Sequence, residues 1–228
     1  MTPQSPIALG KGSTTLYWDI VWMKAKSNAL LVDLLESNPR YIAHKGSQAI
    51  PTSQDDPLLI YAIEDDTGEM TCTVKYSVNL VKTTSHYDGL VIHYQLRLVE
   101  EASGKSKMLN YIHYTSWPNR LVISNEDMTR LIDLVNEVNV AGSTIFVNCQ
   151  YGLGRTGTFI MSREIYNTAK QSKKSGKNWF TQKGANGADP IEQYVNTLRI
   201  FRHDTIDSSR QFLFLYQWTR DLQQKLYG

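Results

Sequence analysis

The sequence has few cysteines and no long apolar run. Only Cys72 and Cys149 occur among its 228 residues. Two cysteines cannot form a disulfide framework, and they could ligate a structural zinc ion only together with several histidines. No stretch approaches the roughly 18–20 uncharged apolar residues that span a bilayer. We therefore expect a cytoplasmic protein with no membrane segment, no metal site and no cofactor, in which a cysteine with suitable neighbours is a candidate nucleophile.

The sequence also lacks an excess of charge of one sign. Lys and Arg number 24 and Asp and Glu number 22, so the formal net charge is only +2. This balance does not favour a nucleic-acid partner. The first six residues contain no basic segment followed by an apolar stretch, so we expect no signal peptide. Composition does not indicate an oligomeric state.

The composition that remains is typical of a globular chain. Hydrophobic residues make up 41% of the sequence and charged residues 20%, a balance that excludes a wholly disordered chain. There is no internal repeat and no second regime of composition. A single domain over residues 1–228 is therefore predicted.

Hydrophobic periodicity predicts a first half that mixes helix and strand. Trp18, Val21 and Ala25 recur at helical spacing, which predicts a helix over residues 16–27. Residues 37–57 contain several prolines and are predicted to be mostly loop. Strands are predicted at Ala29–Leu31, Met70–Val78, Val91–Val99 and Met108–Tyr114.

One more strand and a series of helices are predicted in the second half. Ser124 can cap the amide of Asp127 and open a helix. The β-branched run Thr144–Val147 predicts a strand covered on both faces. Residues 170–189 are rich in Lys, Ser, Gly and Asn and predict a mobile surface loop. Further helices are predicted at Thr156–Ala169, Ile191–Arg202 and Ser208–Leu226. These elements predict an α/β fold, with helices on the faces of a twisted mixed sheet.

The segment Val147–Gly157 carries the residues that indicate chemistry. A strand ends, Cys149 follows, glycines turn the chain, and Arg155 stands where a helix begins. Consecutive amides in a tight turn and the amino end of a helix both bind anions and stabilise a thiolate over a thiol. Arg155 can hold two phosphate oxygens at once, and Thr156 can donate a hydrogen bond to the sulfur. Such a set is suited to nucleophilic phosphoryl transfer.

This segment resembles the Cys-x5-Arg signature loop of the protein tyrosine phosphatases. Tyr111–Asn119 is similar to the strand and mobile Trp-Pro-Asp loop that carry the family's general acid. Ile7–Gly10 and Tyr17–Trp22 resemble two segments near the family's amino end, and Leu198–Gln211 resembles a region near its carboxyl end. The blocks follow the family's order and cover nearly the whole chain. The resemblance implies the phosphatase fold, with a phosphotyrosyl protein or peptide as partner.

The resemblance also implies roles for individual residues. The cysteine attacks phosphorus, while the arginine and the loop amides hold the phosphate oxygens. The implied catalytic positions are Cys149, Arg155, Thr156 and Asn119. The implied substrate-binding positions are Gln150, Tyr151, Gly152, Leu153, Gly154, Asp207 and Gln211.

Several positions depart from the family's pattern. Asn119 stands where the family has an aspartic acid, and an amide cannot protonate a leaving phenoxide, a loss that costs about 10²–10⁴-fold in rate. Asn148 precedes the cysteine in place of histidine. Tyr151 replaces a small residue that lies along the substrate ring, so we expect a narrower pocket. Asp207 replaces the glutamine that positions the hydrolytic water. The family's N-terminal part, which includes its phosphotyrosine-recognition loop, has no counterpart in the sequence.

Two functions are consistent with these residues. The first is a phosphatase with a Cys nucleophile whose hydrolysis of phosphotyrosyl protein is weak because Asn119 replaces the acid. The alternative is an inactive relative that uses the same loop to bind a phosphopeptide or another anion, or that serves as a scaffold whose pocket Tyr151 fills.

Structural explanations remain open for each of these residues. Cys149 can be a buried core cysteine, and Arg155 can lie on a helix surface. Gln211 can complete a capping box at the start of the last helix, and Asp207 can be an acid favoured by the dipole of that helix. Arg199 can be a partner in a structural ion pair.

A dinucleotide site is a competing interpretation of the glycines. Gly152, Gly154 and Gly157 satisfy the pattern Gly-x-Gly-x-x-Gly between a strand and a helix. The residues that follow form a lysine-rich stretch rather than a second strand that ends in an acidic residue. The sequence therefore favours the phosphatase interpretation.

Overall fold

The computed structural model describes residues 13–36, 50, 51, 53–64, 71–181, 187 and 189–228. Outside the described residues lie Ile7–Gly10, most of the predicted 37–57 loop and Met70, the first residue of a predicted strand. The chain divides into two compact units, Met1–Ser116 with Leu134–Tyr151 and Trp117–Asp133 with Gly152–Gly228. The single domain over residues 1–228 stays a prediction.

Among the described residues, the first unit contains a six-stranded sheet in the order β2-β3-β4-β5-β1-β6. Its strands are β1 Asn28–Asp33, β2 Leu58–Glu64, β3 Thr71–His86, β4 Val91–Glu100, β5 Ser106–Tyr114 and β6 Thr144–Asn148. Strand β1 runs parallel to both β5 and β6, whereas the remaining pairs are antiparallel. The predicted α/β fold with a twisted mixed sheet flanked by helices is confirmed.

Strand β1 is enclosed by parallel neighbours, and its residues from Ala29 to Asp33 are all buried. A strand in this position is typically a continuous apolar run, and the run Ala29–Leu31 predicted a strand here. Asp33 breaks the run. The register places it beside His113 of β5 and Asn148 of β6, at the carboxyl ends of three neighbouring strands.

Helix α1, Ser13–Lys24, packs its aromatic face on the sheet of the first unit. Tyr17, Trp18 and Val21 are fully buried in the same core cluster as residues of the strands. The helix ends before the predicted residue 27. Lys107 Nζ donates hydrogen bonds to the main-chain oxygens of Trp22 and Ala25, so a side chain from β5 satisfies carbonyls at the end of the helix.

The second unit is helical. Helix α2, Asn125–Val138, begins in this unit and ends in the first. The elements that follow β6 are α3 Gly154–Lys174, a 3₁₀ turn Trp179–Thr181, α4 Pro190–Phe201 and α5 Ser209–Tyr227. The predicted cap of α2 is confirmed, because Ser124 Oγ accepts a hydrogen bond from the Asp127 amide at 3.0 Å. The same hydroxyl donates to the Asp127 carboxylate at 2.7 Å.

Helices α3 and α5 pack against each other. Phe159 and Ile165 of α3 and Phe214 and Trp218 of α5 are buried. Both helices were predicted from the sequence, at Thr156–Ala169 and Ser208–Leu226, and the structure confirms that helices are present there. No helix among the described residues is both long enough and apolar enough to cross a membrane.

The predicted surface loop over 170–189 is wrong in its first part. Helix α3 continues to Lys174, and Trp179 in the 3₁₀ turn is buried. Lys170 forms an ion pair with Asp133 at 3.3 Å and lies 4.2 Å from the ring centre of Tyr166. Lys170, one of the lysines behind the prediction of a solvated loop, therefore contacts partners within its own unit, with its ammonium group on a carboxylate and on a ring.

Two strands also differ from expectation. Strand β2 was not predicted from the sequence. Strand β3 continues to His86, well beyond the predicted end at Val78. Strand β4 supplies a hydrogen-bonded partner for this extension, from Leu80 to His86.

Candidate active site

In the first unit, Cys149 directly follows the last residue of β6. Its side chain is buried, with 3% exposed. The preceding main-chain oxygen, that of Asn148, accepts a hydrogen bond from the Leu34 amide at 3.0 Å. The strand end that carries the cysteine is therefore tied to the residue after β1. Burial agrees with the open alternative of a core cysteine and does not decide between that and a nucleophile.

The residue before the cysteine, Asn148, belongs to a buried polar network. Asp33 is fully buried, with 0% exposed. Its Oδ1 accepts a hydrogen bond from Asn148 Nδ2 at 2.9 Å, and its Oδ2 accepts one from the Tyr111 hydroxyl at 2.6 Å. Burial raises the pKa of Tyr111 well above its usual value, and the neighbouring Asp33 carboxylate raises it further. The network joins residues of β1, β5 and β6.

Exposure rises over the two residues after the cysteine and falls again at Gly152, which is buried. Gln150 is half-buried, and the Tyr151 side chain is 53% exposed. Gly152 follows with φ of +67°, a left-handed conformation that glycine adopts without steric cost. The expected narrowing of a pocket by Tyr151 stays a prediction.

In the second unit, α3 begins at Gly154 with Leu153 at its N-cap position. No side chain caps this end within the part of the chain that the structure describes. The Gly157 amide already bonds to the Leu153 oxygen at 2.8 Å. Amides in the first turn of an uncapped helix have no intrahelical acceptor, and they attract anions together with the helix dipole.

Arg155 lies in this first turn and is buried, with 3% exposed. Its Nη1 donates a hydrogen bond to the main-chain oxygen of Trp117 at 2.7 Å. Among the described residues, no acceptor lies within hydrogen-bond distance of its Nε. Arg155 is therefore not a surface arginine.

The turn that contains Asn119 is anchored on both sides. Trp117 is fully buried, and its Nε1 donates to the Leu121 oxygen at 3.0 Å. The Leu121 amide bonds to the Pro118 oxygen at 3.2 Å, and Arg120 has φ of +61°. Asn119 itself is exposed at the tip of this turn. The position implied for the general acid is thus held in a defined turn but carries an amide.

Two side chains, one just before the cap of α5 and one in its first turn, lie close to the first residue of α3. A methyl group added to Gly154 would overlap the Asp207 carboxylate and approach Gln211 Oε1 to 2.8 Å. Gln211 is fully buried, and its Nε2 donates to the Leu121 oxygen at 3.3 Å. Its Oε1 has no hydrogen-bond donor among the described residues. Asp207 is exposed.

The capping explanation for Gln211 is half right. Ser208 Oγ accepts a hydrogen bond from the Gln211 amide at 3.2 Å, which caps α5. The Gln211 side chain donates to Leu121 and is not the reciprocal partner of a capping box. Asp207 precedes the cap of α5 but lies at Gly154 of α3.

The segment before Asp207 is strained and held in place. Ile206 has φ of +63°, which is rare for a β-branched residue. Arg199 Nε donates to the Thr205 oxygen at 3.1 Å, and its Nη2 donates to the Ile206 oxygen at 3.3 Å. Both hydrogen bonds are to carbonyl oxygens, and through them Arg199 positions the segment that carries Asp207.

The candidate residues fall into two groups. Cys149, Gln150 and Tyr151 belong to the first unit together with the Asp33 network. The second unit brings together Gly154, Arg155, Asp207, Gln211 and the turn of Asn119. Thr156 is buried in the same first turn of α3. The catalytic and substrate-binding roles of all these residues stay predictions.

Sequence reasoning missed Asp33. In the sequence, an aspartate at the end of a short apolar run looks like the first residue of a turn. Only the strand order shows that β1, and Asp33 with it, lies between β5 and β6. The unexpected polarity of one residue in a buried parallel strand was the available signal.

The dinucleotide interpretation is not supported by the topology. Strand β6 stands at the edge of the sheet, and no strand follows α3 in the described part of the chain. The βαβ unit that places a ribose next to an acidic residue is therefore not observed. In the same described residues, no group of three or more His, Cys, Asp or Glu side chains is arranged to hold a metal ion.

Comparison with known proteins decides the family. A family model described as "Protein-tyrosine phosphatase" matches residues 4–221. The chain belongs to the protein-tyrosine phosphatase family. The resemblance noted in the signature loop therefore extends over nearly all of the sequence.

Curated relatives of this phosphatase-family chain include yeast enzymes. Tyrosine-protein phosphatase 2 of Schizosaccharomyces pombe is 26% identical over 205 residues, which cover 90% of this chain and 26% of that protein. Tyrosine-protein phosphatase 1 of Saccharomyces cerevisiae is 24% identical over 230 residues, which cover 90% of this chain and 66% of that protein. The chain thus spans only about a quarter of the first relative and about two thirds of the second.

Solved structures share the phosphatase fold. A structure of PTPN18, described as the basis of its fingerprint on distinct HER2 tyrosine phosphorylation sites, has a TM-score of 0.71 and 15% identity, and covers 94% of this chain and 66% of that chain. PTPN18 in complex with HER2-pY1196 phosphopeptides gives a TM-score of 0.66 at 16% identity. At these identities the likeness extends to the fold.

Proposed function

We propose that this phosphatase-family domain binds phosphotyrosyl groups with the loop from Cys149 to Arg155 and hydrolyses them slowly. Cys149 is the nucleophile, and Arg155 and the loop amides hold the phosphate oxygens. The partner is a phosphotyrosyl protein or peptide. A cytoplasmic location is part of this proposal.

The start of α3 is the observation that carries the proposal. Arg155 is buried there, and its Nε has no acceptor among the described residues. No side chain caps the same helix end in the described part of the chain. A buried guanidinium nitrogen without an acceptor is costly unless an anion completes its hydrogen bonds. These features support retained phosphate binding.

The proposed reaction has two steps. The Cys149 thiolate attacks phosphorus and forms an S–P bond while the phenoxide leaves. Water then attacks the cysteinyl phosphate, so that inorganic phosphate leaves and the thiolate is regenerated. Asn119 cannot give a proton to the phenoxide in the first step, so that proton comes from water. The loss of general acid catalysis slows hydrolysis by about 10²–10⁴-fold.

A binding module without turnover is the second candidate. The exposed Tyr151 side chain, two residues after the cysteine, favours it. A phenol there would oppose entry of a substrate ring, while a small anion would still reach the loop. Asp207 adds a negative charge next to the first residue of α3, which would weaken binding of an anionic intermediate.

Turnover and anion binding, measured on the same protein, distinguish the two candidates. Hydrolysis of p-nitrophenyl phosphate and of a phosphotyrosyl peptide reports turnover, and protection of Cys149 from iodoacetamide by phosphate or vanadate reports binding. We expect protection with weak hydrolysis, in which the nitrophenyl ester suffers less because its leaving group needs little acid help. Protection without hydrolysis would establish the binding module. A peptide turnover in the usual enzyme range of about 1–10³ s⁻¹ would contradict the proposal.

A further inference from the structure

We propose that the amino end of α3 selects an oxyanion that carries a proton, such as hydrogen phosphate or the monoanion of a phosphoryl ester, over a fully deprotonated anion such as sulfate. Asp207 and Gln211 impose this selection, because each presents an oxygen that only accepts hydrogen bonds. The inference rests on the proposed binding of phosphate by Arg155 and the amides of α3, and it names the form of the anion that binds.

The two acceptor oxygens converge on the first residue of α3. A methyl group on Gly154 would lie 2.8 Å from Gln211 Oε1 and closer still to Asp207 Oδ1. All three residues belong to the second unit. An anion held by the first-turn amides of α3 therefore lies beside both oxygens.

The orientation of the Gln211 amide is fixed by its other hydrogen bond. Its Nε2 donates to the main-chain oxygen of Leu121 at 3.3 Å, and a carbonyl oxygen only accepts. Nε2 therefore stays on the side of Leu121, and Oε1 is left facing Gly154. The side chain is fully buried, and its Oε1 has no donor among the described residues. A buried acceptor without a donor is costly, so a ligand that donates to it is favoured.

Asp207 is held between two anchors of its own backbone. On one side, Arg199 Nη2 donates to the Ile206 oxygen at 3.3 Å. On the other, Ser208 Oγ accepts from the Gln211 amide at 3.2 Å. The Asp207 side chain is exposed. A carboxylate in contact with water is ionised at neutral pH, and both of its oxygens are then acceptors only.

A protonated oxyanion satisfies both kinds of group at this helix end. Its unprotonated oxygens accept from the amides and from Arg155, whose buried Nε has no acceptor among the described residues. Its hydroxyl group donates to Asp207 or Gln211. Sulfate has no proton, so it would leave both acceptors without a hydrogen bond and would be repelled by the carboxylate.

The same selection applies to a phosphoryl ester. A phosphotyrosyl group loses its last proton with a pKa of about 6, and the resulting dianion has no hydrogen to donate. The site is therefore expected to take this group as its monoanion.

Calorimetric titration with phosphate and with sulfate, at neutral pH and constant ionic strength, tests the inference. We expect the wild-type protein to bind phosphate about tenfold more tightly than sulfate, since a hydrogen bond to a charged group makes a difference of at least this size. In Asp207→Asn the carboxylate becomes an amide that can donate, so sulfate binding should strengthen and the ratio should fall towards one. The same comparison in Asp207→Gln keeps the test intact if one variant does not fold.

Asp204→Asn is the matched control. Asp204 is an exposed aspartate on the same connection between α4 and α5, and its carboxylate pairs with His203 at 3.0 Å. The substitution removes the same charge from the same segment. The preference for phosphate should stay as in the wild-type protein.

A second anion separates the effect of the proton from the effect of charge. Perrhenate is a tetrahedral monoanion without a proton, and in mildly acidic buffer inorganic phosphate is mainly a monoanion too. Repulsion by Asp207 acts alike on both, so the ratio of phosphate to perrhenate affinity should fall about tenfold in Asp207→Asn only if a hydrogen bond is lost. An unchanged ratio would mean that Asp207 acts by charge alone and would overturn the inference.

Protection of Cys149 from iodoacetamide distinguishes this inference from the proposed function. Equal affinities of the wild-type protein for phosphate and sulfate, or a preference that persists in Asp207→Asn, would overturn the inference alone if phosphate still protects Cys149. If phosphate neither binds nor protects Cys149 in the wild-type protein, the proposed function fails and the inference fails with it.

Discussion

Arg155 Nη1 donates a hydrogen bond to the main-chain oxygen of Trp117 at 2.7 Å. One arginine therefore holds the turn that displays Asn119 and, in the proposed function, also holds phosphate. In that proposal, the position of the turn and the binding of an anion are coupled through a single guanidinium. A substitution at Arg155 should consequently affect both.

Arg155→Ala should abolish protection of Cys149 by phosphate. The variant loses the guanidinium and leaves the buried Trp117 oxygen without this donor, at a cost of about 1–3 kcal/mol in unfolding free energy. Alkylation rates with and without phosphate, together with urea unfolding, measure both effects. Arg163→Ala on the same helix is the control and should keep the protection. Protection that survives in Arg155→Ala would show that the anion binds elsewhere.

Asn119→Asp alone should recover little activity, because Tyr151 and Asp207 are unchanged. The triple change Asn119→Asp, Tyr151→Ala and Asp207→Gln should exceed the product of the single effects, since groups in one site are not additive. Initial rates with p-nitrophenyl phosphate and a phosphotyrosyl peptide measure this, and the gain should be larger on the small ester.

The nucleophile is checked in the triple variant. Cys149→Ser in that background should remove all recovered activity. If Asn119→Asp by itself restores the turnover of a typical phosphatase, Tyr151 does not obstruct the substrate. A folded triple variant that binds no phosphate would mean that the loop is only a structural remnant.

Gly157→Ala should destabilise the second unit although alanine is a good helix former. A methyl group at this position would overlap Thr205 Cγ2 and approach the Ile206 amide nitrogen to 3.2 Å. Overpacking of this kind costs about 1–3 kcal/mol. Thr205→Ser removes the obstructing methyl group and can keep the hydroxyl bond to the Arg202 oxygen. The double variant should recover part of the loss in urea unfolding, and no recovery would place the strain elsewhere.

Alkaline pH should weaken the fold through Tyr216. Burial and the Asp189 carboxylate raise the pKa of Tyr216 to about 12, whereas an unfolded tyrosine titrates near 10. The phenol is thus protonated in the folded state and ionised in the unfolded state between these values, so the free energy of unfolding falls as pH rises from about 10 to about 12. Tyr216→Phe should make this decline shallower in urea titrations at several pH values. An equal slope in both proteins would exclude a contribution from Tyr216.

Local signals made the last two helices predictable from the sequence. Their predicted starts, Ile191 and Ser208, lie within one residue of the observed starts of α4 and α5. Asp189 accepts from the Ile191 amide at 2.8 Å, and Ser208 accepts from the Gln211 amide. Caps of this kind involve residues close in sequence, so a pattern of a few residues contains the information.

Contacts between distant residues explain what the sequence did not reveal. The end of α3 is stabilised by Lys170 on Asp133 and by Lys173 on the Leu226 oxygen, partners that lie far away along the chain. Asp33 became visible as a network member only through the register of three strands. In the site, the signature loop predicted the candidate residues, but local patterns did not show that Asp207 lies at Gly154.

The left-handed Ile206 has a consequence for local opening of the chain. Its conformation stores about 1–3 kcal/mol of strain, which is released when the segment around it opens. Such a segment reaches its open state at a lower free energy than the helices it joins. Its amide contacts the Leu153 oxygen at 3.5 Å, a long hydrogen bond. Amide hydrogen exchange at Ile206 should therefore be faster than in α3 and α5. With each opening, Asp207 would move away from the amino end of α3, so the charge near this helix end would fluctuate with time.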